Sequence, residues 1–273
     1  MATTVRKEDR APNAKAVSEV KRQSSAAIYG RSGTGKTTLA ASWPKPILYL
    51  NIRDNGEESI SDVEGIDVVD IESSEDLLEQ VLWLHKKASK GKLIYKTIVT
   101  DTMSQMQTML VEEMGATKKI PKGKRAGDFG VLTRQDWGKI SGDLIKYIMD
   151  IRALPVNSVF IAQERVFNSG DEEDDGVDQL APEVGTKLMP SVNKDLCASV
   201  NIVANTFIRI KVTKKKDRET KKTEKVIKKQ FCLRLGPNEV YTTKIRKPKG
   251  IEAPDFIIDP TYRKIMDIVK GKD

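Results

Sequence analysis

The sequence predicts an α/β fold: a mostly parallel, twisted sheet with helices on both faces, extended near its C-terminal end by an antiparallel hairpin. Three observations carry this. Short apolar runs alternate with helical patterns through the first half of the chain. A glycine-rich stretch, 30–37, lies between the first apolar run and the first helical pattern. Later runs alternate apolar and basic residues with a period of two, as half-exposed strands do.

Ala26, Ala27, Ile28 and Tyr29 form the first run, which stops at Gly30. A helix follows from Lys36 to about Ser42, ended by Pro44. Residues 47–52 read as the second strand. Ser73 opens an S-x-x-D capping pattern with Asp76, after which Leu77, Leu78, Val81, Leu82 and His85 mark one face of an amphipathic helix. Residues 97–100 form a third strand ending at Asp101, and the polar, basic stretch 115–130 reads as a mobile loop. Ile140, Leu144, Ile148 and Ile151 then repeat at helical spacing up to Pro155. A fourth strand, 158–162, ends at Gln163, and 164–195 reads as a second mobile loop containing the acidic run from Asp171 to Asp175. Residues 207–212 and 226–235 pair as a basic hairpin spanning 206–236. Asp259 and Pro260 cap a last helix whose Ile265, Met266 and Val269 face inward. Residues 1–24 read as a flexible polar arm, and 25–270 as one domain.

The chain has 273 residues, a formal net charge of +8 and 5% aromatic residues. An excess of positive charge favours polyanionic partners, nucleic acid first. Cys197 and Cys232 are too few for a disulfide framework, which points to a reducing cytoplasm. No stretch approaches the roughly 20 apolar residues of a membrane-spanning helix, so no membrane partner is expected.

Gly30, Arg31, Ser32, Gly33, Thr34, Gly35, Lys36 and Thr37 match G-x-x-x-x-G-K-[ST] at every fixed position, between a strand and a helix. The glycines let the backbone curl so that its N–H groups and the new helix's positive end meet phosphates. Lys36 is placed to neutralise the β- and γ-phosphates, Thr37 offers a hydroxyl to magnesium, and Thr38 faces the α-phosphate. ATP and Mg2+ are the expected ligands. Asp101, at a strand's carboxyl end, is the second magnesium ligand, with helix capping as its alternative role. Asp54 is the candidate to orient the attacking water, with Glu57 and Glu58 as competitors. Gln163 can report the γ-phosphate to the loop behind it. Lys244 and Arg246 stand at alternate positions of a strand and suit a role on a neighbouring subunit's nucleotide, or a merely exposed basic strand.

This order of pieces resembles the RecA-type recombinase core, and within it phage-encoded RecA-like proteins of single-strand annealing and recombination. The match covers about 24–270 and rests on ILYLNIRDNG (47–56), TIVTDT (97–102), QDWG (135–138), FIAQE (160–164) and TKIRK (243–247). The resemblance implies a DNA-stimulated ATPase that assembles head to tail, as filament or ring, on single-stranded DNA and promotes annealing or strand exchange. It also implies a phage or host single-stranded DNA-binding protein as a further partner. Lys244 and Arg246 match the family's trans-acting cations and Gln163 its γ-phosphate sensor. Asp54 falls where the family usually carries glutamate, which opens the alternative of an ATP-switched DNA-binding module with little hydrolysis. A small-molecule kinase is the third reading, although no arginine-rich lid is evident.

Lys118, Lys119, Lys122, Lys124 and Arg125 form an acid-free cationic segment suited to DNA phosphates. Phe167 is the better candidate for base stacking, Trp137 for packing under its helix, and His85 for a structural role.

Overall fold

The computed structural model describes residues 11–12, 14–15, 23–118, 132–167, 183–216 and 223–271. Most of the arm, the acidic run and Lys119, Lys122, Lys124 and Arg125 lie outside the described residues.

Among the described residues ten strands join in one sheet. Its parallel centre runs β3 (Ile66–Ile71), β2 (Ile47–Ile52), β4 (Thr97–Asp101), β5 (Asn157–Phe167), β1 (Ser25–Gly30) and β7 (Ile202–Lys216). β8 (Thr223–Arg234) and β10 (Phe256–Ile258) extend it antiparallel, while β6 (Glu183–Thr186) pairs β5 and β9 (Lys244–Ile245) pairs β7. β1 and β2 are buried along their whole length, which is why they read as unbroken apolar runs rather than alternating ones.

Alternation divides the sheet's side chains between two cores. Ala27, Tyr29, Leu48, Leu50 and Phe160 face α2 (Ser74–Ser89), α3 (Met103–Ala116), α4 (Arg134–Ala153) and α5 (Pro190–Ser199). Ala26, Ile28, Ile47, Tyr49, Val99 and Ile161 face α1 (Lys36–Ala40) and α6 (Tyr262–Lys270). The expected α/β class, parallel sheet and late hairpin are therefore all present.

Several local expectations are corrected. The Ser73–Asp76 capping box forms, but the buried stripe of α2 is Leu77, Val81 and Leu84. Leu78 and Leu82 stay 56% and 61% exposed, because they sit about 100° around the helix from that stripe. Gln163 is not a strand end: β5 continues to Phe167 and recruits β6, and α5 follows, so 164–195 is not one long loop. Likewise 115–118 closes α3 rather than opening a loop. The cap of α6 is Thr261, whose hydroxyl accepts from the Lys264 N–H, not Asp259 and Pro260; Ile265 alone of the expected trio is fully buried. β3 and α3 carry weak periods in sequence, the one an edge strand interleaved with Asp67 and Asp70, the other rich in Met, Gln and Thr.

Candidate functional site

Parallel strands direct their carboxyl ends to one edge of the sheet, and there β1, β2, β4 and β5 bring the expected residues together. A cavity of about 620 Å³ is lined by Lys36, Thr37, Thr38, Asp54, Asp101 and Gln163, with Ser32, Gly33 and Gly35 of the loop. Gly35 is the N-cap of α1 at φ 85, a backbone state that glycine enters without steric cost. A Cβ on Gly30 would lie 2.3 Å from Thr206 Oγ1, so only glycine lets the loop leave β1 against β7. Thr34 Oγ1 secures the curl through the Arg31 carbonyl at 2.7 Å and Thr206 Oγ1 at 2.7 Å.

Lys36 Nζ donates to the carbonyls of Gly30 (3.1 Å) and Arg31 (2.8 Å), folded back over the loop it serves. Burial pulls its ammonium below the ordinary lysine value, while the charges of Asp101 and Asp54 pull it back up. Thr37 Oγ1 donates to Asp101 Oδ2 at 2.8 Å, and the Tyr49 hydroxyl donates to the same oxygen. Desolvation raises the Asp101 carboxyl, and these two hydroxyls hold it down. The N-cap of α3 is Thr102, so Asp101 is free of the capping role. Thr37 and Asp101 thus present hard oxygens side by side on the cavity wall, a donor set that fits magnesium. Bound there, the ion would neutralise phosphate charge.

Gln163 stands beside Gly30 in the β1–β5 register. Its side-chain oxygen accepts from Lys187 Nζ at 3.4 Å, and its carbonyl accepts from the Lys187 N–H at 2.7 Å. Asp54 and Glu58 line the cavity, whereas Glu57 does not. Arg31 turns outward to Glu164 (2.9 Å), whose other oxygen accepts from Asn205 at 3.3 Å.

A model of the family described as AAA domain matches residues 22–246. The chain belongs to that family. As an AAA domain with an intact phosphate loop, it is a P-loop ATPase. No curated protein matches the chain. Among solved structures, a KaiC-like protein from the hyperthermophilic archaeon Pyrococcus horikoshii is similar at 11% identity and a TM-score of 0.38, over 87% of this chain and 89% of that one. So loose an overlap adds nothing to the fold, which rests on the sheet itself.

The AAA domain places other candidates elsewhere. Lys244 and Arg246 lie at the opposite edge of the sheet, where β9 pairs the start of β7. Lys244 Nζ donates to the carbonyls of Cys197 and Ala198 at 2.7 and 2.9 Å, and Arg246 to Ala198 at 3.1 Å, closing the C-terminus of α5. Within one subunit they do not approach the cavity. Lys118 pairs with Asp136 at 2.6 Å. Phe167 lies under the Arg165 guanidinium at 5.1 Å, Trp137 packs on the core, and His85 Nε2 meets the Asp150 carbonyl at 3.0 Å. Among the described residues no helix is long and apolar enough to cross a membrane.

Four contributors escape sequence reasoning. Tyr49 seats Asp101, and Lys187 meets Gln163. Gly56 leaves room over the cluster, since a Cβ there would lie 2.8 Å from the Tyr49 hydroxyl and 3.0 Å from Asp101 Oδ2. Phe231 of β8 lines the cavity against Gly35 and is 43% exposed. Tyr49 left a trace in sequence as a hydroxyl inside an apolar strand and Gly56 as the glycine shortly after Asp54, whereas Lys187 and Phe231 are joined to the site by long-range pairing.

Proposed function

We propose that the protein is a magnesium-dependent, DNA-stimulated RecA-like ATPase of recombination, which assembles on single-stranded DNA and promotes annealing or strand exchange. The observation that carries the catalytic part is the convergence of Lys36, Thr37, Asp101, Asp54 and Gln163 on one cavity. Lys36 holds the terminal phosphates, and Thr37 and Asp101 hold the metal. Asp54 orients water, and Gln163, bonded to Lys187, senses the γ-phosphate. Phe231 offers the base an apolar wall.

The assembly part draws on Lys244 and Arg246 standing at the far edge of the sheet from their own cavity. Cations so placed can serve a nucleotide only in a second, head-to-tail copy. Net charge of +8 favours a polyanionic track.

The test is ATP turnover with and without single-stranded DNA for wild type, Lys36→Ala and Arg246→Ala. DNA should raise wild-type turnover. Arg246→Ala should lose it and recover when mixed with Lys36→Ala subunits, whose arginine is intact. Turnover indifferent to DNA would favour a small-molecule kinase, and binding without turnover an ATP-switched binding module.

A further inference from the structure

The edge of the sheet opposite the nucleotide cavity carries its own chemistry. α2 is 16 residues long and runs from the nucleotide edge to the other, so its C-terminus lies about 24 Å away along its axis. From Trp83 to Lys96 the chain contains Lys86, Lys87, Lys90, Lys92 and Lys96 and no acid. Among the described residues no carboxylate stands within ion-pair distance of these lysines. The two helical ones, Lys86 and Lys87, complement the helix's negative end. Lys90, Lys92 and Lys96 lie beyond the helix and have no such partner.

Aromatic rings stand among the cations. Trp83 is 38% exposed, with Lys87 Nζ 5.3 Å above its ring, and it tilts against Tyr95 at 6.4 Å between centroids. The Tyr95 hydroxyl donates to Asp67 at 2.7 Å, which fixes its ring at the surface. Trp83, Lys86, Lys87, Lys90 and Lys92 line a groove of about 270 Å³. Tyr95 and Lys96 then line a second hollow of about 530 Å³.

We infer that this edge binds single-stranded nucleic acid, with the lysines following the phosphates and Trp83 stacking on a base. Exposed lysines alone suit any polyanion. An exposed indole among them favours a ligand with unstacked bases, since stacking needs a free π-face. A duplex hides those faces, and an acidic polypeptide has none. The inference deepens the DNA-binding reading by giving it a surface outside 118–125.

Anisotropy of a labelled oligothymidine tests it, with wild type, Trp83→Ala and the combined K86Q/K87Q/K90Q/K92Q variant. Trp83→Ala should weaken binding about ten-fold. The combined variant should flatten the slope of log affinity against log salt by about 2 to 3. ATP affinity, measured in the same samples, should stay as in wild type and so report an intact fold. Quenching of indole fluorescence by the oligonucleotide should vanish in Trp83→Phe. Wild type binding no oligonucleotide would overturn the DNA reading itself. Equal binding by wild type and both variants would overturn only this surface. Polyglutamate or anionic vesicles displacing the oligonucleotide at matched charge would overturn it in favour of a non-nucleic partner.

Discussion

The two edges of the sheet hold cations in opposite ways. At the nucleotide edge Lys36 is half-buried and bonded to two carbonyls, and the buried Asp101 is seated by two hydroxyls. At the other edge Lys90, Lys92 and Lys96 stand in solvent among Trp83 and Tyr95. Few desolvated groups fix geometry and discriminate ligands. Many solvated groups provide adjustable, salt-screened attraction. The proposed function, gripping one small triphosphate and following a polymer, draws on both.

The sharpest way to break the comparison is Lys36→Ala. A single desolvated cation should account for at least about 100-fold in ATP affinity or turnover; calorimetry showing less than ten-fold would put the two edges on a par. Gly30→Ala should follow, because its methyl would meet Thr206 Oγ1 at 2.3 Å. We expect a loss of about 1–3 kcal/mol in denaturant unfolding, as overpacking typically costs. Phe231→Ala should weaken ATP about ten-fold while leaving inorganic tripolyphosphate unchanged; equal losses for both would show that the ring only props the loop. Thr133→Ala removes the N-cap of α4 and should cost about 1 kcal/mol. Its capping partner Asp136 is held down at about 2 by Lys118 first and then by the Thr133 backbone and hydroxyl. A depressed carboxylate stabilises the fold above its unfolded value near 4, so that contribution should fade as pH drops from about 4 to 2. In Asp136→Asn that part of the acid transition should be missing. The smallest effect belongs to the far edge: Lys90→Gln alone should change oligonucleotide affinity by about two-fold. A loss as large as that of Lys36→Ala would mean that this edge too is desolvated.

The phosphate loop was fully legible because its chemistry is written in consecutive residues, Gly30 to Thr37. The parallel strands were legible too, since burial on both faces leaves unbroken apolar runs. Legibility fell where a structural decision depends on a distant partner. β5 runs past Gln163 because β6 is there to pair it, and nothing in FIAQERVF announces Glu183 to Thr186. Phe231 reaches the cavity through the β7–β8 register, which sets it opposite Ile208. Lys244 lies on a strand as expected, whereas Arg246 falls one residue past β9, and the tie of both to the end of α5 is a tertiary fact. The stripe of α2 was misjudged by one helical step, because Leu78 and Leu82 are as apolar as the leucines that face the core.

Gly56 has a consequence for how the nucleotide edge can be altered. Its short 3₁₀ turn, Gly56–Ile60, leaves open the space where a Cβ would meet three oxygens, those of Tyr49, Asp101 and Thr37. It works as a keystone without a side chain. A side chain put there would have to move either the turn or the oxygens it meets, so a change to the roof over Thr37 and Asp101 would strain the same turn that carries the buried Ile60.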